Sequence, residues 1–522
     1  MSSNESSERS PKLADKESGA VMRRAFVLAV LLIGAAYTPA RVVALNVDKF
    51  PHPERILLIV AAYFAVGLAW YALLRRGAMK QEASLLSCLA LLLLISSGQR
   101  IATVTSTLVA VSVALGLAIA IALISNRVGD QALRVMTIGS VVFLVAGPAL
   151  ALVEASFGSS PQSIVMEPTS SIPTAIESGP DVFVVVLDGF PGPTALTEVY
   201  QSDLAWPEEQ DVRRLDAWAS YPMTIASVSS LFEMGYPLED GDIVDKTTAA
   251  ELSQIMSGDN RFNALLKESG YVITHVESGY SNSYCHDTVD VCVSSAFLDE
   301  GTFWILNQSV IGQELRQRAG SAFTQGSLHT MTWLNENLPS LASNQTTDFV
   351  FASVLAPHPP LMLNESCDLT YEFWRVGNSV YAGDAIVSER QEAFIDQAQC
   401  ISTFESRLLQ EIPSGALTIF VSDHGGDSLG QMSKYGRVWS DLDTIERLNT
   451  HLAIKSSLDC ELTAPVLLPE ILRDLLWCFS GSSDSEPESP ERIHTASRIE
   501  DTSFYALDEL SAEEMRRVGV GG

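Results

Sequence analysis

The stretch DVFVVVLDGF at residues 181–190 decides the fold of the larger part of this chain. It contains five consecutive β-branched or aromatic residues, a pattern typical of a strand buried on both faces, as in parallel sheets. Similar apolar runs recur at 271–276, 348–355 and 417–422. These runs predict at least four strands of one central sheet.

Stretches with helical spacing lie between these runs. RFNALLKESG at 261–270 ends on Gly270, which is a common helix stop, and 391–412 precedes the last run. Strands that alternate with helices predict an α/β domain with a mostly parallel central sheet. In such folds ligands bind beyond the carboxyl ends of the strands.

The first part of the chain contains five apolar blocks. A helix needs about 20 mostly apolar residues to cross a bilayer, and most of these blocks are close to that length. The third block is short, so a buried or re-entrant segment is an alternative to a span. We expect an N-terminal α-helical transmembrane bundle of about five helices, from blocks at 25–45, 56–74, 84–97, 101–125 and 135–155.

Basic residues give this bundle an orientation through the positive-inside rule. The stretches predicted to be cytoplasmic contain Arg23, Arg24, Arg75, Arg76, Lys80, Arg127 and Arg134. Four basic residues fall on the opposite side, namely Arg41, Lys49, Arg55 and Arg100. Five spans from a cytoplasmic N-terminus predict a multi-pass protein of the cytoplasmic membrane with everything after residue 155 outside. A cleaved signal peptide is disfavoured because no small-residue cleavage site follows the first block.

Composition divides the remaining chain into further segments. We predict a cytoplasmic tail at 1–22, the transmembrane domain at 23–155 and a Ser-, Pro- and Thr-rich linker at 156–180. The extracytoplasmic catalytic domain is predicted at 181–480, followed by an acidic insert and tail at 481–522.

The two parts of the chain differ in charge. Residues 1–155 carry 14 Lys and Arg against 9 Asp and Glu, whereas the rest carries 19 against 54. Nucleic-acid binding needs clustered basic residues, so this balance excludes nucleic acid as a partner.

Cysteine usage agrees with an extracytoplasmic domain. Cys88 lies in the third apolar block, and an even number of cysteines follows residue 155, as is typical of an oxidising compartment. A zinc cluster is disfavoured because no CxxC pair occurs. Pairing neighbours costs the least loop entropy and predicts the disulfides Cys285 with Cys292, Cys367 with Cys400, and Cys460 with Cys478.

Two of the predicted strands end in turns with acidic residues, LDGF at Asp188 and SDHGG at Asp423 and His424. Carboxylate oxygens and an imidazole nitrogen at strand ends can bind a divalent ion. The alternative for Asp188 is an ordinary Asp-Gly turn. A third partner stands in YPMTIASVSSLFEMGYP at 221–237, where Thr224 lies near a helix start. Thr224 is either a helix N-cap or a nucleophile activated by the metal and the helix end.

Taken together and in order, LDGF, YPMTIASVSSLF, APHPP and VSDHGG resemble the alkaline phosphatase superfamily. They are most similar to its membrane-anchored sulfatase-like branch, which includes lipoteichoic acid synthases and phosphoethanolamine transferases. The resemblance covers about residues 180–454. It implies one divalent metal ion, Zn or Mn, bound by Asp188, Thr224, Asp423 and His424, with Thr224 also the nucleophile. It further implies that His358 contacts the substrate phosphate or the leaving oxygen, the alternative being a hydrogen-bonded histidine of a Pro-rich turn.

Departures from the family narrow the chemistry. Sulfatases carry a CxPxR signature, which this chain lacks, so sulfate ester hydrolysis is disfavoured. A second metal needs further Asp and His ligands; His451 and His286 are spare candidates, each more simply explained as structural or solvated.

The resulting hypothesis is a membrane-anchored, metal-dependent phosphotransferase or phosphodiesterase that acts outside the cytoplasmic membrane. By analogy with the family, its partners are membrane lipid, a phospholipid headgroup donor and a glycan or lipid acceptor. The alternatives are a sulfatase-like hydrolase of phosphate or sulfate esters and a non-catalytic membrane protein that binds the cell envelope.

Overall fold

The structure is a computed structural model of the 522-residue chain. It describes residues 9–45, 53–97, 107–157, 179–204, 211–279, 283–294, 302, 305–306, 308–309, 312–344, 346–359, 361–370, 387–430, 432, 438–457, 462, 466–480, 492–498 and 505–520. The chain divides into two compact units, a helical unit of residues 1–159 with 300–316 and an α/β unit of residues 160–299 with 317–522.

Within the described residues, five helices of the helical unit overlap the five predicted apolar blocks, and the first of them begins at Arg9, inside the predicted tail at 1–22. They are α1 (Arg9–Leu45), α2 (Pro53–Arg76), α3 (Gln81–Ser97), α4 (Thr107–Ser125) and α5 (Asp130–Phe157). Leu31 of α1 packs with Leu85 and Cys88 of α3 in one cluster of buried side chains. Inside the bundle the hydroxyl of Thr38 bonds to those of Ser96 and Ser97, at 2.7 and 2.8 Å.

Two of the described helices are long and apolar enough to cross a membrane, over Val21–Val43 and Arg55–Arg76. The third predicted block forms α3, a 17-residue helix whose side chains are mostly buried. Many apolar side chains of the other helices are exposed, for example Leu57, Leu123 and Phe143. Such an apolar exterior suits a lipid environment rather than water.

The α/β unit is built on an eight-stranded sheet of order β5-β4-β6-β1-β7-β8-β2-β9. The strands are β1 (Val182–Leu187), β2 (Val212–Trp218), β4 (Val272–Val276), β5 (Val291–Val293), β6 (Asp348–Val354), β7 (Leu417–Ser422), β8 (Asn449–Lys455) and β9 (Val466–Leu467), while β3 (Ile243–Val244) lies outside this sheet. The four predicted strands correspond to β1, β4, β6 and β7, and they are adjacent and parallel. The mostly parallel sheet is therefore confirmed.

Described helices of the α/β unit lie in the connections between its strands. They are α6 (Pro193–Glu198), α7 (Thr224–Glu233), α8 (Lys246–Met256), α9 (Arg261–Glu268), α10 (Gly312–Leu341), α11 (Val387–Glu411), α12 (Asp441–Leu448) and α13 (Leu468–Ser480). Gly270 follows the end of α9 with a φ of 86°, which is the left-handed conformation predicted for the helix stop.

Alternation along β1 explains why the sheet is buried on both faces. Val182, Val184 and Val186 belong to one core cluster, whereas Phe183 and Val185 belong to the other. Such two-sided burial matches the uninterrupted apolar runs in the sequence.

The last part of the chain folds against the α/β unit. Strands β10 (His494–Arg498) and β11 (Tyr505–Glu509) pair with each other, and β11 pairs with β3 in a second sheet. Helix α14 (Ala512–Val518) follows and buries Met515 and Val518 in the core. Thus the segment assigned from composition to an insert and tail contains ordered elements, while the acidic stretch at 481–491 lies outside the described residues, as does most of the linker at 156–180.

Two of the predicted disulfides lie wholly within the described residues and are formed. Cys285 is bonded to Cys292 and Cys367 to Cys400. Cys478 is also disulfide-bonded, and Cys460 lies outside the described residues. Cys88 is a free, buried cysteine.

Candidate metal and nucleophile site

Three neighbouring strands end at one edge of the sheet and bring the candidate residues together. Leu187 of β1 pairs with Val354 of β6 on one side and with Ser422 of β7 on the other. Asp188 and Asp423 follow directly after β1 and β7, so parallel pairing places the two carboxylates side by side. This edge is where an open α/β sheet binds its ligands.

Hydrogen bonds between the two turns hold the carboxylates in place. The Ser422 hydroxyl accepts from the backbone N–H of Phe190 at 2.8 Å and donates to the His424 carbonyl at 2.6 Å. The N–H of Gly189 donates to Asp423 Oδ1 at 3.0 Å. Gly189 has a φ of 75°, so glycine is needed there for this turn.

The two glycines after His424 are required by close packing. A Cβ atom on Gly425 would lie 1.9 Å from the carbonyl oxygen of Glu446, and one on Gly426 would lie 2.0 Å from the Tyr200 hydroxyl. The N–H of Gly425 donates to the Arg447 carbonyl at 2.7 Å. The run Asp-His-Gly-Gly thus lies directly on the end of α12.

Thr224 is the first residue of α7, and the N-cap position belongs to Met223, whose side chain makes no capping bond. The N-cap interpretation of Thr224 is therefore wrong. Its buried hydroxyl instead lies 3.1 Å from His424 Nε2. The hydroxyl consequently lies beside the ligand candidates and at the positive end of a helix dipole.

Two carboxylate oxygens of this cluster have no hydrogen-bond partner within the described residues, although both are buried. They are Asp188 Oδ1 and Asp423 Oδ2, which lie 3.7 and 3.3 Å from His424 Nε2. Ligand atoms of Asp188, Asp423 and His424 all lie within 4.8 Å of one another. Unsatisfied buried oxygens are costly, and a divalent cation would satisfy both. We call Asp188, Thr224, Asp423 and His424 the strand-end site.

The pKa shifts of the ionisable residues in the strand-end site also favour a bound divalent cation. Burial, reinforced by the neighbouring Asp423, raises the pKa of Asp188 well above that of an ordinary aspartate. Burial also raises the pKa of Asp423, against the hydrogen bond from the N–H of Gly189 and the charge of Arg447. Burial and the charge of Arg447 lower the pKa of His424 far below its usual range. A neutral imidazole and two carboxylates that lack a cation are a ligand set suited to Zn²⁺ or Mn²⁺.

His358, the further candidate, lies at the rim of this cluster and is half-buried. Its N–H donates to the Asp188 carbonyl at 2.9 Å, and its ring centre lies 6.3 Å from that of His424. Gln397 holds the same loop: its amide oxygen accepts from the N–H groups of Met362 and Leu363, and its Nε2 donates to the His358 carbonyl.

The spare ligand candidates lie elsewhere. His451 bonds to the buried carboxylate of Glu405 at 2.7 Å, and His286 bonds to Thr288 at 3.0 Å. A second possible ligand group contains Glu277 with Cys285 and Cys292, but those two cysteines form a disulfide. Of these two groups among the described residues, only Asp188, Asp423 and His424 of the strand-end site have no ligand atom in a covalent bond to another side chain.

Three residues near the site did not stand out in the sequence. Arg447 bonds to His424 Nε2 at 3.2 Å, and Glu446 accepts from the N–H groups of Ser428 and Leu429 after the double glycine. Gln397 orders the loop of His358. All three lie on amphipathic helical stretches, where polar residues normally indicate a solvated face, so only the fold could reveal them.

No protein-family model and no curated protein matches the chain. Solved structures do. The integral membrane lipooligosaccharide phosphoethanolamine transferase A from Neisseria meningitidis is 13% identical, with a TM-score of 0.38, over 72% of this chain and 69% of that one. An alkaline phosphatase superfamily protein from Vibrio parahaemolyticus is 14% identical, with a TM-score of 0.38, over 67% and 83%. BT1596, a 2-O GAG sulfatase, is 11% identical, with a TM-score of 0.38, over 62% and 79%.

At these identities and TM-scores the similarity is limited to the backbone trace, and it carries no information on substrate or mechanism.

Proposed function

We propose that the chain is a membrane-anchored phosphotransferase or phosphodiesterase that depends on one divalent metal ion and uses Thr224 as its nucleophile. The observation that carries this proposal is the pair of buried, unpartnered carboxylate oxygens of Asp188 and Asp423 facing His424 Nε2, with the Thr224 hydroxyl 3.1 Å from that nitrogen. A structural cluster of this kind would leave two acids unsatisfied in the core.

Asp188, Asp423, His424 and Thr224 would hold the ion, and a bound divalent ion lowers the pKa of a coordinated hydroxyl and neutralises phosphate charge. Thr224 Oγ1 attacks phosphorus in line and loses its proton to solvent. The bond from phosphorus to the alcohol oxygen breaks, and His358 donates a proton to the leaving alkoxide. A phosphothreonine remains, and water or a second alcohol then takes the phosphoryl group and restores the Thr224 hydroxyl.

Several features support a position of the α/β unit at the extracytoplasmic surface of the cytoplasmic membrane. The five apolar helices, the basic residues at the stretches predicted to be cytoplasmic, and the disulfides Cys285–Cys292 and Cys367–Cys400 all fit a multi-pass anchor with an extracytoplasmic α/β unit. Such a tether favours phospholipid headgroups as donors and envelope glycans or lipids as acceptors. Phosphate esters are favoured over sulfate esters because a threonine stands at the nucleophile position and no CxPxR motif occurs.

The test is Thr224→Ala in the full-length protein purified in detergent, with Thr403→Ala as the matched control. Thr403 lies on exposed helix surface and bonds only locally, to the Gln399 carbonyl. We expect Thr224→Ala to lower turnover of a synthetic phosphodiester at least ~1000-fold, because the covalent step is lost, and the control to keep wild-type turnover.

Two readouts sharpen this test. Trapping with substrate, followed by peptide mass spectrometry, should find phosphate on Thr224 of the wild type. Parallel assays with an aryl sulfate should show little turnover. A folded Thr224→Ala protein that keeps more than a few per cent of the activity would refute the nucleophile assignment.

A further inference from the structure

Arg447 uses its whole guanidinium group at the strand-end site. Nε donates to the Pro222 carbonyl at 2.7 Å, just before α7, and Nη1 donates to the Gly425 carbonyl at 3.2 Å. Nη2 lies 3.2 Å from His424 Nε2. Two backbone carbonyls therefore fix the plane of the group, and one N–H corner faces the ligand nitrogen.

The hydrogen bonds of His424 define what this corner does. Its Nδ1 lies 2.8 Å from the Gly425 carbonyl, which can only accept, so Nδ1 carries the proton. Nε2 of His424 is then the acceptor nitrogen, and Nη2 of Arg447, which can only donate, donates a hydrogen bond to the lone pair of that nitrogen. The same nitrogen faces Asp188, Asp423 and Thr224. Arg447 thus occupies the lone pair that a metal ion would need.

We infer that Arg447 is the anion-contacting residue of the strand-end site: its Nη2 releases His424 when a divalent ion is bound and then donates to a non-bridging oxygen of the substrate phosphate. This inference rests on the proposed function. Nη2 and Thr224 Oγ1 lie within 3.2 Å of the same nitrogen, so the donor is already beside the nucleophile. A planar guanidinium held by two carbonyls is well suited to a phosphate oxygen.

Charge supports the same role. Two carboxylates and a threonine alkoxide would more than neutralise a divalent ion, so an anionic phosphate needs another cation. Arg447 is a permanent positive charge whose Nη2 lies 3.2 Å from the ligand nitrogen of His424. Because it also repels a metal ion and competes for Nε2, its removal should strengthen metal binding and weaken phosphate binding. A residue that only supported the loop would weaken both.

The experiment compares Arg447→Met and Arg447→Lys with Arg473→Met, a matched control whose charged partners are Glu470 and Asp474 on its own helix. Each full-length protein is purified in detergent, and Zn²⁺ affinity is measured by competition with a chromophoric chelator. Binding of inorganic phosphate to the Zn²⁺-loaded protein is measured by calorimetry. Folding is checked by circular dichroism.

We expect Arg447→Met to bind Zn²⁺ at least as tightly as wild type while its phosphate affinity falls about 10- to 100-fold, as expected for lost charge-assisted hydrogen bonds. Arg447→Lys keeps the charge but not the planar group, so its Zn²⁺ affinity should stay near wild type and its phosphate affinity should fall by a smaller factor. Arg473→Met should match wild type in both.

Unchanged phosphate affinity in a folded Arg447 variant would overturn the inference, as would a joint loss of Zn²⁺ and phosphate binding. Should Arg447→Met not fold, the Arg447→Lys measurements decide in the same way. Failure of the wild type to bind any divalent metal would instead overturn the proposed function, so the two failures are distinguishable.

Discussion

Two of the buried clusters of charged residues in the described part of the α/β unit differ in how their oxygen atoms are satisfied. In the first, Glu405 is fully buried and both its oxygens are bonded, Oε1 to Arg214 at 3.2 Å and Oε2 to His451 at 2.7 Å. We call these residues the Glu405 cluster. In the strand-end site, Asp188 and Asp423 are as deeply buried, but one oxygen of each lacks a partner in the described residues.

The difference separates a structural cluster from a ligand site. The Glu405 cluster pairs its carboxylate with a guanidinium and an imidazole, so it needs nothing from outside. The strand-end site has two acids against one neutral imidazole, with Arg447 mostly bonded to carbonyls. Burial alone therefore does not identify a functional histidine. His424 and His451 are equally buried, and only the partners distinguish them.

The largest effect on stability is expected when an ion pair of the Glu405 cluster is broken. Glu405→Gln removes the charge that faces Arg214 and leaves that guanidinium in the interior without it, at a cost of about 3–5 kcal/mol of unfolding free energy. Zinc bound per folded molecule should stay at the wild-type value. Chemical denaturation of the full-length protein in detergent, monitored by tryptophan fluorescence, measures the unfolding free energy. Metal analysis measures the zinc content.

Arg261→Met serves as a control for this prediction, because its salt bridge to Glu233 is long, at 3.8 Å, and partly exposed. We expect it to lose less than about 1 kcal/mol. If Glu405→Gln instead lost its metal while keeping its stability, the assignment of the two clusters would have to be exchanged.

Much of the central fold could be predicted from the sequence because it is local. The apolar runs that form β1, β4, β6 and β7 are continuous, and Gly270 ends α9 as expected. Parallel pairing then places Asp188 next to Asp423 without further information. The five apolar helices are predictable for the same reason, since length and hydropathy suffice.

What escaped prediction depends on contacts between distant parts of the chain. β8 is antiparallel and its sequence, NTHLAIK, carries three polar residues before its apolar centre, yet it is fully buried between β7 and β2. β11 pairs with β3, about 260 residues earlier in the chain. Arg447 looks like a surface charge in DLDTIERL until the absence of side chains on Gly425 and Gly426 lets that helix reach the site.

A medium effect is expected at His275, which tests whether an unpartnered buried nitrogen suffices for a ligand site. Its Nε2 has no hydrogen-bond partner within the described residues, its ring packs against Phe351, and the charge of Glu277 acts on it. Burial lowers the pKa of His275 to about 4. Because protonation is disfavoured in the folded state, stability is full above the ordinary histidine pKa of about 6.5 and falls as pH decreases towards 4.

Between pH 7.5 and pH 5 this group should remove ~2 kcal/mol of unfolding free energy from the wild type. His275→Phe should lack that part of the pH dependence and keep its zinc. Denaturation curves at the two pH values give the comparison. An equal pH dependence in both proteins would show that His275 is not held neutral.

The smallest effect, and the one that separates the two clusters most directly, is expected for Asp188→Asn in metal-free protein. A buried aspartate with a raised pKa stabilises the folded state only below about pH 4, and its contribution is lost as the pH rises. The amide keeps the size, carries no charge and can donate to Asp423. We therefore expect Asp188→Asn to gain ~1 kcal/mol of stability without metal at pH 7.5, and to gain less as the pH falls.

Added Zn²⁺ should stabilise the wild type strongly and the variant little, because a ligand oxygen is lost. The matched control is Asp216→Asn, since both oxygens of Asp216 accept hydrogen bonds, from Thr194 and Asn449. That variant should lose stability and keep its response to Zn²⁺. Loss of stability in metal-free Asp188→Asn would mean that its carboxylate is satisfied within the protein, and the distinction between a ligand site and a structural cluster would fail at its central residue.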